Sequence, residues 1–264
     1  MKITKSNFKL LCLFSLAIFV MSCSNKNSGI SMEEEKEKKP LMESLTYEGY
    51  KEFSFKYNSG DSLIEYCDNN LHSLFEISYN PLKVKISYLE PNENGDLEIS
   101  SVQDIYDAVL NDAGCLISFK YQYTNGGVDP TVNYGSVDLS YNSDNRLTEM
   151  IYSTGETVKL EWNAEGSLLK ASTSEYDITY TPSVIPNTYN EWNPLWYSCG
   201  GWEMTGLLGN APSMLIDSGV QTFKNGVNSS ARFEYKLKED KLIEEITFWE
   251  DDFEPKVFMV NYKK

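Results

Sequence analysis

The chain has 264 residues, 23 basic and 39 acidic side chains, a formal net charge of −16 and one histidine. A chain this acidic repels phosphate backbones, which sets nucleic acid aside as a partner, and anionic lipid headgroups repel it too. One histidine excludes catalytic zinc sites built on several histidines, and no Cys-x-x-Cys pair points to a structural zinc or a thioredoxin-type motif.

Residues 1–22 read as a signal peptide. Lys2, Lys5 and Lys9 give a cationic start, and Leu10 to Val20 is almost wholly apolar. That run of 11 residues falls well short of the ~20 that a membrane-spanning helix needs. Val20-Met21-Ser22-Cys23 follows and resembles a lipobox. The resemblance implies cleavage before Cys23 and acylation of that cysteine, palmitate being one such chain. Several acyl chains on one residue anchor stably where one chain is marginal. Membrane attachment through Cys23 is therefore the first expected partnership. Ser24 rather than Asp follows the cysteine, which by analogy favours an outer-membrane lipoprotein.

Residues 23–40 then form a polar tether. Such a segment cannot bury enough apolar surface to offset its ordering entropy. The mixed-sign run from Glu33 to Lys39 reads as solvated spacer. Some Bacteroides-type lipoproteins carry an acidic surface-export signal directly after the cysteine. Here the acids begin ten residues later, so the surface and periplasmic faces both stay open.

Residues 41–264 are expected to form a single β-rich domain. Phe53–Tyr57, Val84–Tyr88, Phe119–Tyr123, Val137–Tyr141, Val158–Trp162, Tyr176–Tyr180 and Phe233–Tyr235 each alternate apolar and polar residues. Successive strand side chains point to opposite faces, so each segment has one apolar and one solvated face, as antiparallel strands do. The turns repeat too. Tyr57–Leu63, Leu110–Leu116, Tyr141–Leu147, Trp162–Leu168 and Pro91–Leu97 each place Asn second, Gly, Asn or Asp fifth, and Leu seventh. The Asn bonds the turn backbone, the fifth residue takes positive φ, and the Leu re-enters the apolar face. Val102, Ile105, Tyr106, Val109 and Leu110 also fit a helical face, but Leu110 opens a repeat turn and favours strand. Most segments look shorter than the ~9–11 residues of a transmembrane β-strand, against a spanning porin.

Tyr189 to Ser218 breaks the alternation. It holds Trp192, Trp196, Trp202, Cys199 and four glycines, and predicts a short helix and long loop near 190–218. The expected fold is mostly all-β: an antiparallel hairpin meander forming a large curved or partly closed, barrel-like sheet. The Tyr/Trp-Asn turns, the Leu110–Gly114 hairpin and the Gly206–Pro212 segment resemble a secreted Bacteroidales family, domain of unknown function 4595. That resemblance implies a porin-like fold and offers no catalytic residues.

Few residues suggest chemistry. His72 sits in a polar turn and reads as a surface histidine, and no nucleophile signature flanks Cys67, Cys115 or Cys199. Those three cysteines allow one bridge and a free thiol, or three free thiols. Glu250–Glu254 and Glu244-Glu245 are the only carboxylate groupings that suggest glycoside hydrolysis. Asn92–Asp96 and Asp251-Asp252 carry oxygen ligands of the kind calcium prefers, the first already explained as a turn. Neither grouping amounts to a site, so no catalytic residue, metal or cofactor is assigned. Trp192, Trp196 and Trp202 remain as candidate ligand-binding residues, since exposed aromatics stack on sugars or anchor proteins, unless they close the core. The expected function is a non-catalytic, lipid-anchored envelope protein that binds a glycan, peptide or neighbouring protein. The alternative is a periplasmic hydrophobic-ligand carrier or chaperone.

Overall fold

The computed structural model describes residues 40–69, 72–92, 97–126, 130–189, 202–251 and 253–263. The signal peptide, Cys23 and the tether up to residue 39 therefore lie outside the described residues, as do Trp192, Trp196 and Cys199. The first strands are β1 (Met42–Tyr47), β2 (Tyr50–Tyr57), β3 (Leu63–Asp68), β4 (Ser73–Tyr79), β5 (Leu82–Pro91) and β6 (Leu97–Leu110). Next come β7 (Leu116–Asn125), β8 (Val132–Tyr141), β9 (Leu147–Tyr152), β10 (Thr157–Trp162) and β11 (Leu168–Ser172). The last are β12 (Tyr176–Pro186), β13 (Met214–Phe223), β14 (Asn228–Leu237), β15 (Ile243–Glu250) and β16 (Lys256–Tyr262). Each pairs antiparallel with the next, and β16 pairs with β1, so the 16 strands close into a barrel. Closure satisfies both edges of the sheet, which an open meander would leave exposed.

Two expectations change in detail. The helical alternative at Val102–Leu110 gives way to β6, the 14-residue strand, because β5 and β7 both take its backbone groups. The strands are also longer than the sequence suggested: β5, β7, β8, β13 and β14 reach 10 residues and β12 reaches 11. Their polar ends hide that length from a search for alternation. Between β12 and β13 the described residues hold a 3-10 turn at Trp202–Thr205; residues 190–201 of the expected helix and loop lie outside them.

The inner face is filled. Leu45, Tyr66, Ile86, Leu116, Leu147, Met150, Ile178, Leu208, Phe233 and Ile246 are all below 2% exposed, so almost none of their surface meets water. A round barrel of this strand number would hold an aqueous channel; here apolar side chains occupy the interior instead.

The outer wall carries the charge. Lys56 pairs with Glu65 across β2 and β3. Lys85 lies 3.8 Å from Glu76, Lys159 3.4 Å from Glu149 and Lys236 2.9 Å from Glu244. Asp177 accepts from Ser172 and meets Lys224 at 3.3 Å and Lys170 at 3.5 Å, which hold its carboxyl below the usual range. Exposed pairs of this kind contribute only about 0–1 kcal/mol each. Their position is what matters, because a Lys or Arg on a lipid-facing wall costs about 2–4 kcal/mol at the membrane midplane. The described wall carries these pairs along its outer face.

The repeat turns fold as their residues predict. In Tyr57–Leu63 the Asn58 Oδ1 accepts from the N–H of Gly60 and Ser62, at 2.9 and 3.0 Å, and Asp61 takes φ +60°. Asn111 and Asn142 do the same, with Gly114 and Asn145 at positive φ. Asn163 bonds the Ser167 N–H at 2.7 Å, with Gly166 at positive φ. A β-bulge accompanies each hairpin, as this turn class requires. Three other turns make the same backbone bonds. Leu237–Ile243 does so with Lys241 at φ +67°, although lysines stand where Asn and Gly were expected, and Ile151–Thr157 and Thr222–Asn228 do so with Gly155 and Gly226 at positive φ.

Candidate functional site

In an up-and-down meander the connections alternate between two ends. The connections after even-numbered strands share one end with the chain's entry into β1 and its exit from β16. That end holds the Asn turns at 57–63, 110–116, 141–147 and 162–168 and the long connection 187–213, and is here termed the plugged end. The other, the far end, holds the turns that follow odd-numbered strands.

Aromatic residues stitch the plugged end together. The Tyr57 hydroxyl donates to the Met42 carbonyl at 2.8 Å, Tyr79 to Leu63 at 2.8 Å, and Tyr141 to Leu116 at 2.7 Å. Trp162 Nε1 donates to Leu147 at 2.7 Å and Tyr235 to Ile216 at 2.8 Å. In the first four cases the last residue of a hairpin's first strand reaches back to the first residue of an earlier strand at the same end, and Tyr235, two residues before the end of β14, does likewise near the start of β13. This explains the aromatic that opens most repeats, for which the turn itself has no use.

The plug is residues 202–213. Trp202 is 6% exposed; it stacks on Phe119 at 5.1 Å and meets Phe75 edge-on at 6.2 Å. Leu208 is wholly buried. The Leu116 N–H donates to the Leu207 carbonyl, the Asn210 N–H to Asn145, and the Ser213 N–H to Gly166, all at 2.9 Å. Gly209 has φ +79°, and a Cβ there would lie 2.1 Å from the Asn145 oxygen, so the chain crosses the turn too closely for a side chain. Of the three tryptophans singled out from the sequence, Trp202 is thus built into the interior, with its ring surfaces met by the protein itself. Trp192 and Trp196 lie outside the described residues.

The far end differs in chemistry. One inward row runs Phe53–Asp68–Ser73–Tyr88–Ser101–Asn125 across β2 to β7. The next row runs Phe55–Tyr66–Phe75–Ile86–Gln103–Tyr123–Asn133. Both begin apolar and turn polar. Asp68 is 1% exposed and accepts from the Tyr66 hydroxyl at 3.4 Å. Tyr88 and Tyr123 meet edge-to-face at 6.3 Å, and the Tyr88 hydroxyl donates to Gln103 Oε1 at 3.4 Å. Burial, with Tyr123 adding, pushes the Tyr88 phenol above its usual range. Tyr121 folds over Gly135, where a Cβ would lie 2.3 Å from its ring. Sequence reasoning passed over this wedge, because each residue read singly is a polar strand end.

Other chemical candidates are placed plainly. His72 is a half-buried turn residue at φ +47°. Cys67 and Cys115 are free thiols, and burial raises both above the usual thiol range. Glu244 is paired with Lys236. Asp251 accepts from the Ser230 N–H and from the Ser229 and Ser230 hydroxyls. Among the described residues no group of three His, Cys, Asp or Glu is placed to hold a metal.

No family model and no curated protein matches the chain. Among solved structures it resembles a porin-like protein from Bacteroides uniformis ATCC 8492, at 15% identity and a TM-score of 0.52, over 80% of this chain and 89% of that one. A porin-like protein from Bacteroides vulgatus ATCC 8482 aligns at 12% identity and a TM-score of 0.45, over 84% of this chain and 99% of that one. The first likeness is one of fold: this chain is a closed antiparallel β-barrel of the porin-like kind, with a filled interior and a charged wall.

Proposed function

We propose that this protein is a lipid-anchored envelope protein, acylated at Cys23, whose barrel is a non-catalytic binding module for a glycan, peptide or neighbouring protein. The supporting observation is the packed interior behind a charged wall. A channel needs a hollow interior, and a hydrophobic-ligand carrier needs a cavity; side chains below 2% exposure leave room for neither where they pack. The lipobox resemblance supports the anchor, and the porin-like fold suits an envelope protein. Membership of the domain of unknown function 4595 family is part of the same proposal.

The chain enters the barrel at the plugged end, so the tether ahead of residue 40 joins the barrel there. Protease treatment of intact cells, with the body followed by antibody, tests whether the body meets the medium. Digestion without lysis is expected, followed by retention of a partner on glycan, peptide or host-protein arrays. Retention only of fatty acids or other apolar ligands would instead favour the carrier.

A further inference from the structure

We propose that the polar wedge at the far end, between β3 and β8, is a binding site for neutral saccharides; this rests on the binding-module reading and names its ligand class. The wedge is where the lumen departs from its own rule. The two inward rows are aromatic or aliphatic at Phe53, Phe55, Tyr66, Phe75 and Ile86, yet Asp68, Ser73, Tyr88, Ser101, Gln103, Tyr123, Asn125 and Asn133 carry polar groups at adjoining positions on six successive strands. Burying polar groups in a lumen is unfavourable unless each is bonded, and departures of this kind concentrate at functional sites.

The chemistry of the wedge selects among ligands. Its accessible groups are the Gln103 and Asn133 amides and the Tyr88 and Tyr123 hydroxyls, so it both donates and accepts, as sugar hydroxyls do, while Asp68 is buried behind them. Neither inward row contains a Lys or Arg, which disfavours phosphorylated and other anionic ligands. Tyr88, Tyr121 and Tyr123 are half-buried and offer ring faces to the C–H face of a pyranose, the combination of apolar wall and few polar groups that small-ligand sites use. A peptide added as a strand would need a free sheet edge, and the closed barrel offers none. Gly135 serves the site by leaving space for the Tyr121 ring.

The test uses the full acylated chain in mild detergent against six neutral hexasaccharides: maltohexaose, cellohexaose, xylohexaose, mannohexaose, laminarihexaose and chitohexaose. Binding is read by saturation-transfer NMR and calorimetry. At least one is expected to bind. Tyr123→Ala and Gln103→Ala should each weaken it about tenfold. Tyr123→Phe should keep most of it, and Tyr134→Ala, on the outer wall and 68% exposed, should leave it unchanged. An unchanged thermal midpoint shows that each variant has folded. Binding that survives both mouth variants would move the saccharide elsewhere and overturn the proposal. Binding of peptides or proteins with no saccharide bound would overturn it while the binding-module reading stands; no partner of any class would sink both.

Discussion

The two ends of this barrel solve different problems with the same strands. At the plugged end every device adds stability: Asn-bonded turns, aromatic stitches, and a segment that fills the lumen and bonds three hairpins. At the far end the same inward positions carry carboxylate, amide and hydroxyl groups that contribute little to packing. A fold that needed only to be stable would have continued the apolar rows. The contrast fits the proposed reading, in which a rigid base carries an end set aside for recognition, as binding sites are commonly mounted on scaffolds.

That contrast can be broken by substitution. The largest effect should come from Trp202→Ala, which removes the ring packed between Phe75 and Phe119; a loss of about 3–5 kcal/mol is expected in denaturant unfolding. Gly209→Ala comes next, at about 2 kcal/mol, because positive φ and the close Asn145 oxygen both resist a side chain. Tyr141→Phe should cost about 1 kcal/mol by leaving the Leu116 carbonyl without its donor. The same experiment at the far end should give the opposite sign. Gln103→Leu restores an apolar inward row and should leave stability unchanged or raised, at the expense of binding. Matching losses at both ends would erase the distinction drawn here.

The smallest effect is one of pH. Hydrogen bonds from Ser230 and Ser229 hold the Asp251 carboxyl below its usual value. Its contribution is therefore complete above the unfolded carboxyl pKa of about 4 and fades as pH falls through the lower folded value. Asp251→Asn should flatten the acid limb of a stability profile slightly, by lowering stability a little at neutral pH and leaving it unchanged below the folded carboxyl's titration.

Much of the base was legible in the sequence and little of the far end was. The Asn turns are local: second and fifth positions, a few residues apart, decide them, so four of the described copies were found from their spelling. The Leu237–Ile243 copy escaped because Lys241 holds positive φ there without a favourable residue type. The Tyr57, Tyr79 and Tyr141 stitches reach 15 to 25 residues along the chain, so their role was invisible although Tyr57 and Tyr141 were noted. Closure depends on pairing β1 with β16, at opposite ends of the domain. The polar wedge needs the register of six strands before Asp68, Tyr88 and Tyr123 become neighbours. Trp202 was singled out for its type, and only its packing shows that it serves the interior.

The most direct test of the account is fractionation of a Cys23→Ser chain that keeps its signal peptide, in a Gram-negative host, beside the wild type. A body with a filled lumen and a charged wall should leave the membrane once its acyl anchor is gone, and appear folded in the soluble periplasmic fraction, while the wild type stays with the outer membrane. A Cys23→Ser barrel that remains membrane-embedded through carbonate washing would contradict the account and return the chain to the spanning porins.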